Sequence, residues 1–96
     1  MAAIERPTLA SRIRPSDEVL FQTLEDESVL LNLKSGVYFG LDSVGTRIWQ
    51  LLPEHQLLSD IAARIIAEYD VAEDRCEADL LALVGDMERQ GLVTVS

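Results

Sequence analysis

At Asp42 the spacing of apolar residues changes period, and that change constrains the fold more than any other feature of the chain. Before it, Val19-Leu20-Phe21-Gln22-Thr23-Leu24 and Ser28-Val29-Leu30-Leu31-Asn32-Leu33 are rich in strand-favouring residues and flank Glu25-Asp26-Glu27, an acidic hairpin loop. Lys34-Ser35-Gly36 reads as a three-residue hairpin loop with Gly36 in the left-handed position, returning the chain as a brief third strand from Val37 to Gly40. After Leu41 the helical period takes over. Val44, Ile48, Leu51 and Leu52 fall at i, i+4, i+7 and i+8, with Asp42 or Ser43 placed to cap a helix that Pro53 ends. Leu57, Leu58, Ile61, Ile65 and Ile66 make a second apolar stripe, with Ser59 and Asp60 as capping or acidic groups near its start. A third helix spans about Asp74 to Gln90, with Asp74 and Glu77 at capping-box spacing and Gly91 in the position that a left-handed cap prefers.

The order of elements predicts an α+β, winged-helix-like fold: an N-terminal three-stranded antiparallel sheet followed by three helices. Residues 1–16 hold two prolines and no periodicity, so they are read as a flexible N-terminal arm, leaving 17–96 as a single domain. Leu92-Val93-Thr94-Val95 is too short to stand alone and is expected to pair with, or pack on, another element.

Charge and composition exclude several kinds of function. Seventeen acidic residues against eight basic ones give a net charge of −9, the wrong balance for a partner made of phosphates. Cys76 is the sole cysteine and His55 the sole histidine, so an internal disulfide is ruled out and a Cys/His metal site finds no support; no metal and no cofactor are expected. Asp79 and Asp86 share a helical face, but nothing supplies a nucleophile or a phosphate-cradling loop beside them, so no catalytic residues are expected. No run approaches the roughly 18 apolar residues of a membrane span, and Met1 to Arg14 lacks the apolar core of a secretory signal. The expected location is the cytoplasm, with neither nucleic acid nor membrane as partner.

Backbone recognition remains. The strand Val37 to Leu41 ends a meander, and it carries neither the charge nor the proline that protects an edge. Either Leu92 to Val95 or a second copy covers this edge, or it accepts another chain's backbone by strand addition. Two alternative functions stay open beside peptide binding: an acidic winged-helix transcription regulator, and a structural dimer module.

Leu31-Asn32-Leu33-Lys34-Ser35-Gly36-Val37-Tyr38-Phe39-Gly40-Leu41-Asp42-Ser43-Val44-Gly45-Thr46-Arg47-Ile48-Trp49, then Ile61 to Val71, then Asp79-Leu80-Leu81 running to Val93, resembles the PqqD family. The likeness extends from about Val19 to Val95. It implies a non-catalytic leader-peptide recognition element in the biosynthesis of ribosomally made, post-translationally modified peptides. Gly36 to Asp42 followed by Gly45 to Trp49 looks most like the stand-alone proteins of lasso-peptide clusters, which work beside a separate leader peptidase of cysteine-protease type. The resemblance further implies that a precursor's leader adds as an antiparallel strand to the third strand and drops side chains into a groove beside the third helix. Val37, Tyr38, Phe39, Gly40 and Leu41 would supply main-chain bonds, and Cys76, Asp79, Leu83, Asp86 and Met87 would line the groove. Tyr38 and Phe39 point to opposite faces, and Trp49 is assigned to the core. Two departures from the commoner family pattern lie at Pro53-Glu54-His55-Gln56, a loop, and at Leu57, where a threonine often begins the second helix. The expected assembly is a monomer or a strand-exchanged dimer.

Overall fold

Five strands and three α-helices follow one another in the computed structural model, which describes residues 7–96: β1 (Ile13–Pro15), β2 (Val19–Leu24), β3 (Glu27–Asn32), β4 (Tyr38–Leu41), α1 (Ser43–Leu51), α2 (Leu58–Glu68), α3 (Glu73–Arg89) and β5 (Val93–Val95). Strands β2, β3 and β4 form one antiparallel sheet in that order, and the three helices follow it, as the change of period at Asp42 predicts. Leu24 pairs with Glu27, so the first loop is Glu25-Asp26 alone, with Glu25 in the left-handed region at φ 61. The second turn is built by Asn32, whose Oδ1 accepts from the backbone N–H groups of Lys34 and Ser35 at 2.9 and 3.2 Å. Gly36 takes φ 77 there, a conformation that costs a residue with a Cβ but not glycine. At the far end of β4 the Asp42 side chain accepts from Gly45 N at 2.8 Å and starts α1.

The inner face of the sheet packs on α1. Leu30 is fully buried, Phe21 stacks on Trp49 with ring centroids 6.1 Å apart, and the hydroxyls of Ser28 and Thr46 bond each other at 2.7 Å in the interior. Helix α3 ends as its sequence predicts: Gly91 adopts φ 71, its N–H bonds Glu88 O, and Leu92 N bonds Met87 O at 2.9 Å.

Three expectations are corrected. The boundary at residue 16 does not hold, because residues 13–15 form β1 and pair antiparallel with β5. Ile13 is fully buried among the core residues, and Arg12 exchanges both backbone bonds with Ser96 at 2.9 Å. The first six residues of the expected arm lie outside those described. Asp60 stands as an acid in the first turn of α2, but neither it nor Ser59 caps the helix by a side-chain bond; the carbonyls of Ser11 and Leu9 accept from Leu58 N and Ser59 N, each at 3.0 Å, so a distant backbone does the capping that a local side chain was expected to do. The capping box at Asp74 and Glu77 does not form either. Helix α3 starts at Glu73 with Ala72 in the cap position, and Asp74 Oδ1 accepts instead from Arg75 N at 2.9 Å.

Helices α1 and α2 are tied by a two-pronged ion pair in which Arg47 Nε and Nη2 donate to Glu68 Oε1 and Oε2 at 2.7 and 2.9 Å, with Arg64 Nη2 at 3.3 Å from the same carboxylate. The hydrogen bonds from Arg47 hold the Glu68 carboxyl below its ordinary range. A carboxyl depressed by folding contributes stability above its unfolded value and loses it as pH falls through the folded one. The stability difference between the natural chain and Glu68→Gln should therefore be complete at neutral pH and close on acidification below about pH 4, read by urea unfolding across a pH series.

Ile13→Ala should lower unfolding stability by about 2–5 kcal/mol in the same assay, as for any fully buried aliphatic side chain. A dispensable arm would show a change of no more than about 0.5 kcal/mol.

Candidate functional site

Strand β4 is four residues long and bonded on one side. Asn32 N donates to Val37 O at 3.0 Å, and the register continues Leu31 to Tyr38, Leu30 to Phe39, Val29 to Gly40 and Ser28 to Leu41. In an antiparallel pair the bonded and non-bonded positions alternate, so Phe39 and Leu41 turn their backbone groups toward β3 while Tyr38 and Gly40 turn N–H and C=O to the other side. Among the described residues no strand meets that side. Strand β5, which the sequence left as a possible cover, is paired with β1 in a separate sheet.

A groove of about 620 Å³ opens between β4 and α3. Phe39, Gly40 and Leu41 form one wall and Cys76, Leu80 and Leu83 the other. Val44 and Ile48 of α1, Ile65 of α2 and Val71 of the α2–α3 connection complete the apolar lining. Charge is confined to the rim, with Asp42, Arg75, Asp79 and Asp86. Arg75 Nε lies 3.6 Å from Asp79 Oδ2, and Arg89 pairs with Asp86; all four of these side chains are more than half exposed, so these pairs contribute little to stability. Burial pushes the Cys76 thiol up, with Glu77 and Asp79 adding to the shift, so the sulfur stands as a protonated, apolar part of the wall. The arrangement suits an extended chain: outward amide groups in a row, and an apolar trough on the face toward which its alternate side chains would turn.

Seven of the ten residues named from sequence line this groove: Phe39, Gly40, Leu41, Cys76, Asp79, Leu83 and Asp86. Val37 lies in the turn before β4, where its carbonyl already accepts from Asn32. Tyr38 is 70% exposed on the opposite face of the sheet, so its contribution to the edge is its backbone. Met87 is corrected to core. It is 1% exposed because the chain folds back after α3 and sets the buried Leu92 beside it. Val44, Ile48, Ile65, Leu80 and Val71 were missed; Val44, Ile48 and Ile65 belong to stripes read as core, and only the cleft between elements separates the two roles.

The family model for coenzyme PQQ synthesis protein D (PqqD) matches residues 27–93. Two solved structures resemble this one. TbiB1 in complex with the TbiA(beta) leader peptide is 41% identical, with a TM-score of 0.77 over 83% of this chain and 93% of that one. Lasso peptide synthetase B1 complexed with the leader peptide is 30% identical, with a TM-score of 0.75 over 86% of this chain and 98% of that one. No match was found among curated proteins.

Groove wall and core should separate on truncation. Met87→Ala should cost about 2–5 kcal/mol in urea unfolding, whereas Leu83→Ala, half-buried beside the groove, should cost about 1 kcal/mol.

Proposed function

This chain belongs to the PqqD family, and from that premise we propose that it is a non-catalytic recognition element for the leader peptide of a ribosomally made precursor, of the stand-alone kind found with lasso peptides. The leader adds as a further antiparallel strand to β4. Tyr38 and Gly40 supply main-chain bonds, and every other leader side chain turns into the groove between β4 and α3. The observation that carries this reading is the coincidence of an unpaired strand edge with an apolar trough directly beside it. The two leader-peptide complexes among similar structures support it.

Holding the leader raises the local concentration of the rest of the precursor for an enzyme that also engages this chain, so no chemistry is required of the recognition element itself. A leader peptidase of cysteine-protease type is the enzyme we assign to that role, with the cytoplasm as the place where both work.

Titration with a synthetic leader of the cognate precursor should give saturable binding, with amide shifts concentrated on β4 and α3. Gly40 offers a sharper test. A Cβ there meets nothing within 4 Å, so Gly40→Ala should leave both fold and affinity unchanged. Gly40→Pro removes the outward N–H while sparing the bonds to β3, and should weaken binding about tenfold or more. Unchanged affinity in Gly40→Pro, with the fold intact by circular dichroism, would sink strand addition at this edge.

A further inference from the structure

The outer face of the three-stranded sheet, opposite the helices, is mostly apolar, with Gln22 between Leu20 and Leu24, and among the described residues no element covers it. Leu20 of β2, Leu31 of β3 and Tyr38 of β4 stand in one cross-strand row, with Val29 and Leu24 on the same face. Leu20, Leu24 and Tyr38 are 54%, 56% and 70% exposed, and Leu33 and Val37, both exposed, extend the patch into the turn before β4. Among the described residues, Val71 in the groove is the sole other large apolar side chain so exposed. A contiguous apolar surface of this kind on a small domain marks an interaction site.

Charge decides between two kinds of occupant. Exposed acids border the face at both ends, Glu18 beside the start of β2 and Glu25, Asp26 and Glu27 around the first loop, with Lys34 the nearby cation. A second copy laid face to face would set these carboxylates against their own kind in a chain of net charge −9, which disfavours the pairing. A different protein, with an apolar patch ringed by lysine and arginine, meets both features. Position narrows the choice further. The face ends at β4, so a strand added there would set half of its side chains on this same surface, continuous with Tyr38.

We propose that this outer face docks the enzyme that acts on the held peptide, through an apolar patch ringed by basic side chains on that enzyme. One surface then reads carrier and cargo together. The inference rests on the leader-binding reading above and adds to it the place and chemistry of the second contact.

The test uses the full chain, the synthetic leader and the purified leader peptidase assigned above as the partner enzyme. Leu20→Lys combined with Leu24→Lys puts two cations on the face at half-exposed positions, away from β4 and the groove. Peptidase affinity, measured by biolayer interferometry, should fall at least about tenfold in the double variant, while leader affinity stays at the natural value. Peptidase binding to the natural chain should also weaken as salt rises from about 0.05 to 0.3 M. A double variant that binds leader and peptidase as the natural chain does would overturn this inference alone, as would a natural-chain dimer in light scattering that the double variant abolishes. A natural chain that binds no leader would overturn both readings, and the separate titration shows which has failed.

Discussion

Asn32 fixes the distance between the two walls of the groove. Its Oδ1 takes the N–H groups of Lys34 and Ser35, and its Nδ2 donates to Gln90 O at 2.9 Å and lies 3.4 Å from Gly91 O. Its own N–H bonds Val37 O, and its carbonyl accepts from Gly36 N at 2.7 Å. One largely buried side chain thus holds the turn that delivers β4 and the two carbonyls just past the end of α3 at the same time. Gly91 is needed twice over at this point: for its left-handed backbone, and because a Cβ there would stand 3.0 Å from Asn32 Nδ2. A buried amide with both ends satisfied is specific in a way that an apolar contact is not, since a small displacement leaves donor and acceptor unpaired at a cost of about 1–3 kcal/mol each.

With Asn32 before it and Asp42 after it, β4 is held at both ends by side chains that bond backbone. Its free edge is a pre-ordered template, and an incoming strand has to order only itself. The rest of the fold serves the same end by more distant means. Strands β1 and β5 bring Leu9 and Ser11 to the start of α2, whose Ile65 lines the groove, so the N-terminal segment supports the trough without entering it. This also accounts for Leu57 at the beginning of α2, since a helix whose first amides meet backbone carbonyls does not depend on a threonine hydroxyl there.

What could be read from sequence was local, and what could not was made by residues far apart. The strands, Gly36, the Asp42 cap and Gly91 each announce themselves within a few positions, because turn and cap chemistry is written in adjacent residues. Strand β1 is three residues ending in Pro15, and what holds it extended is distant: β5, about eighty positions later, and the segment before α2, where Gln56 O accepts from Ile13 N and Leu57 bridges Arg12. The cap of α2 was misassigned for the same reason, since distant backbone reached its first amides before any local side chain, whereas α3 starts at Glu73 with Ala72 in the cap position, which takes Asp74 out of the capping place. In the site, helical periodicity put Met87 one turn beyond Leu83 and gave both the same role; the fold-back at Gly91 buries one and leaves the other beside the groove. Asn32 itself carried a weak signal, a polar residue closing an apolar strand just before the turn whose amides it takes.

Among the described residues two edges of the sheet are open, yet only β4 has what a receptor strand requires. Strand β2 also ends the sheet, with its outer backbone groups unpaired among the described strands. Four outward groups on Tyr38 and Gly40 are worth about 0.5–1.5 kcal/mol each once the exchange with water is counted, or about 2–6 kcal/mol together. Association and ordering cost about 4–15 kcal/mol, so backbone pairing alone does not hold a flexible peptide at either edge. The difference must come from side-chain burial, at about 1.5–3 kcal/mol for each large apolar residue removed from water. The groove that provides that burial borders β4 and not β2. Two or three apolar leader residues in the trough turn an unfavourable pairing into a favourable one, which makes the helix opposite β4, rather than the strand itself, the part that decides where a peptide settles.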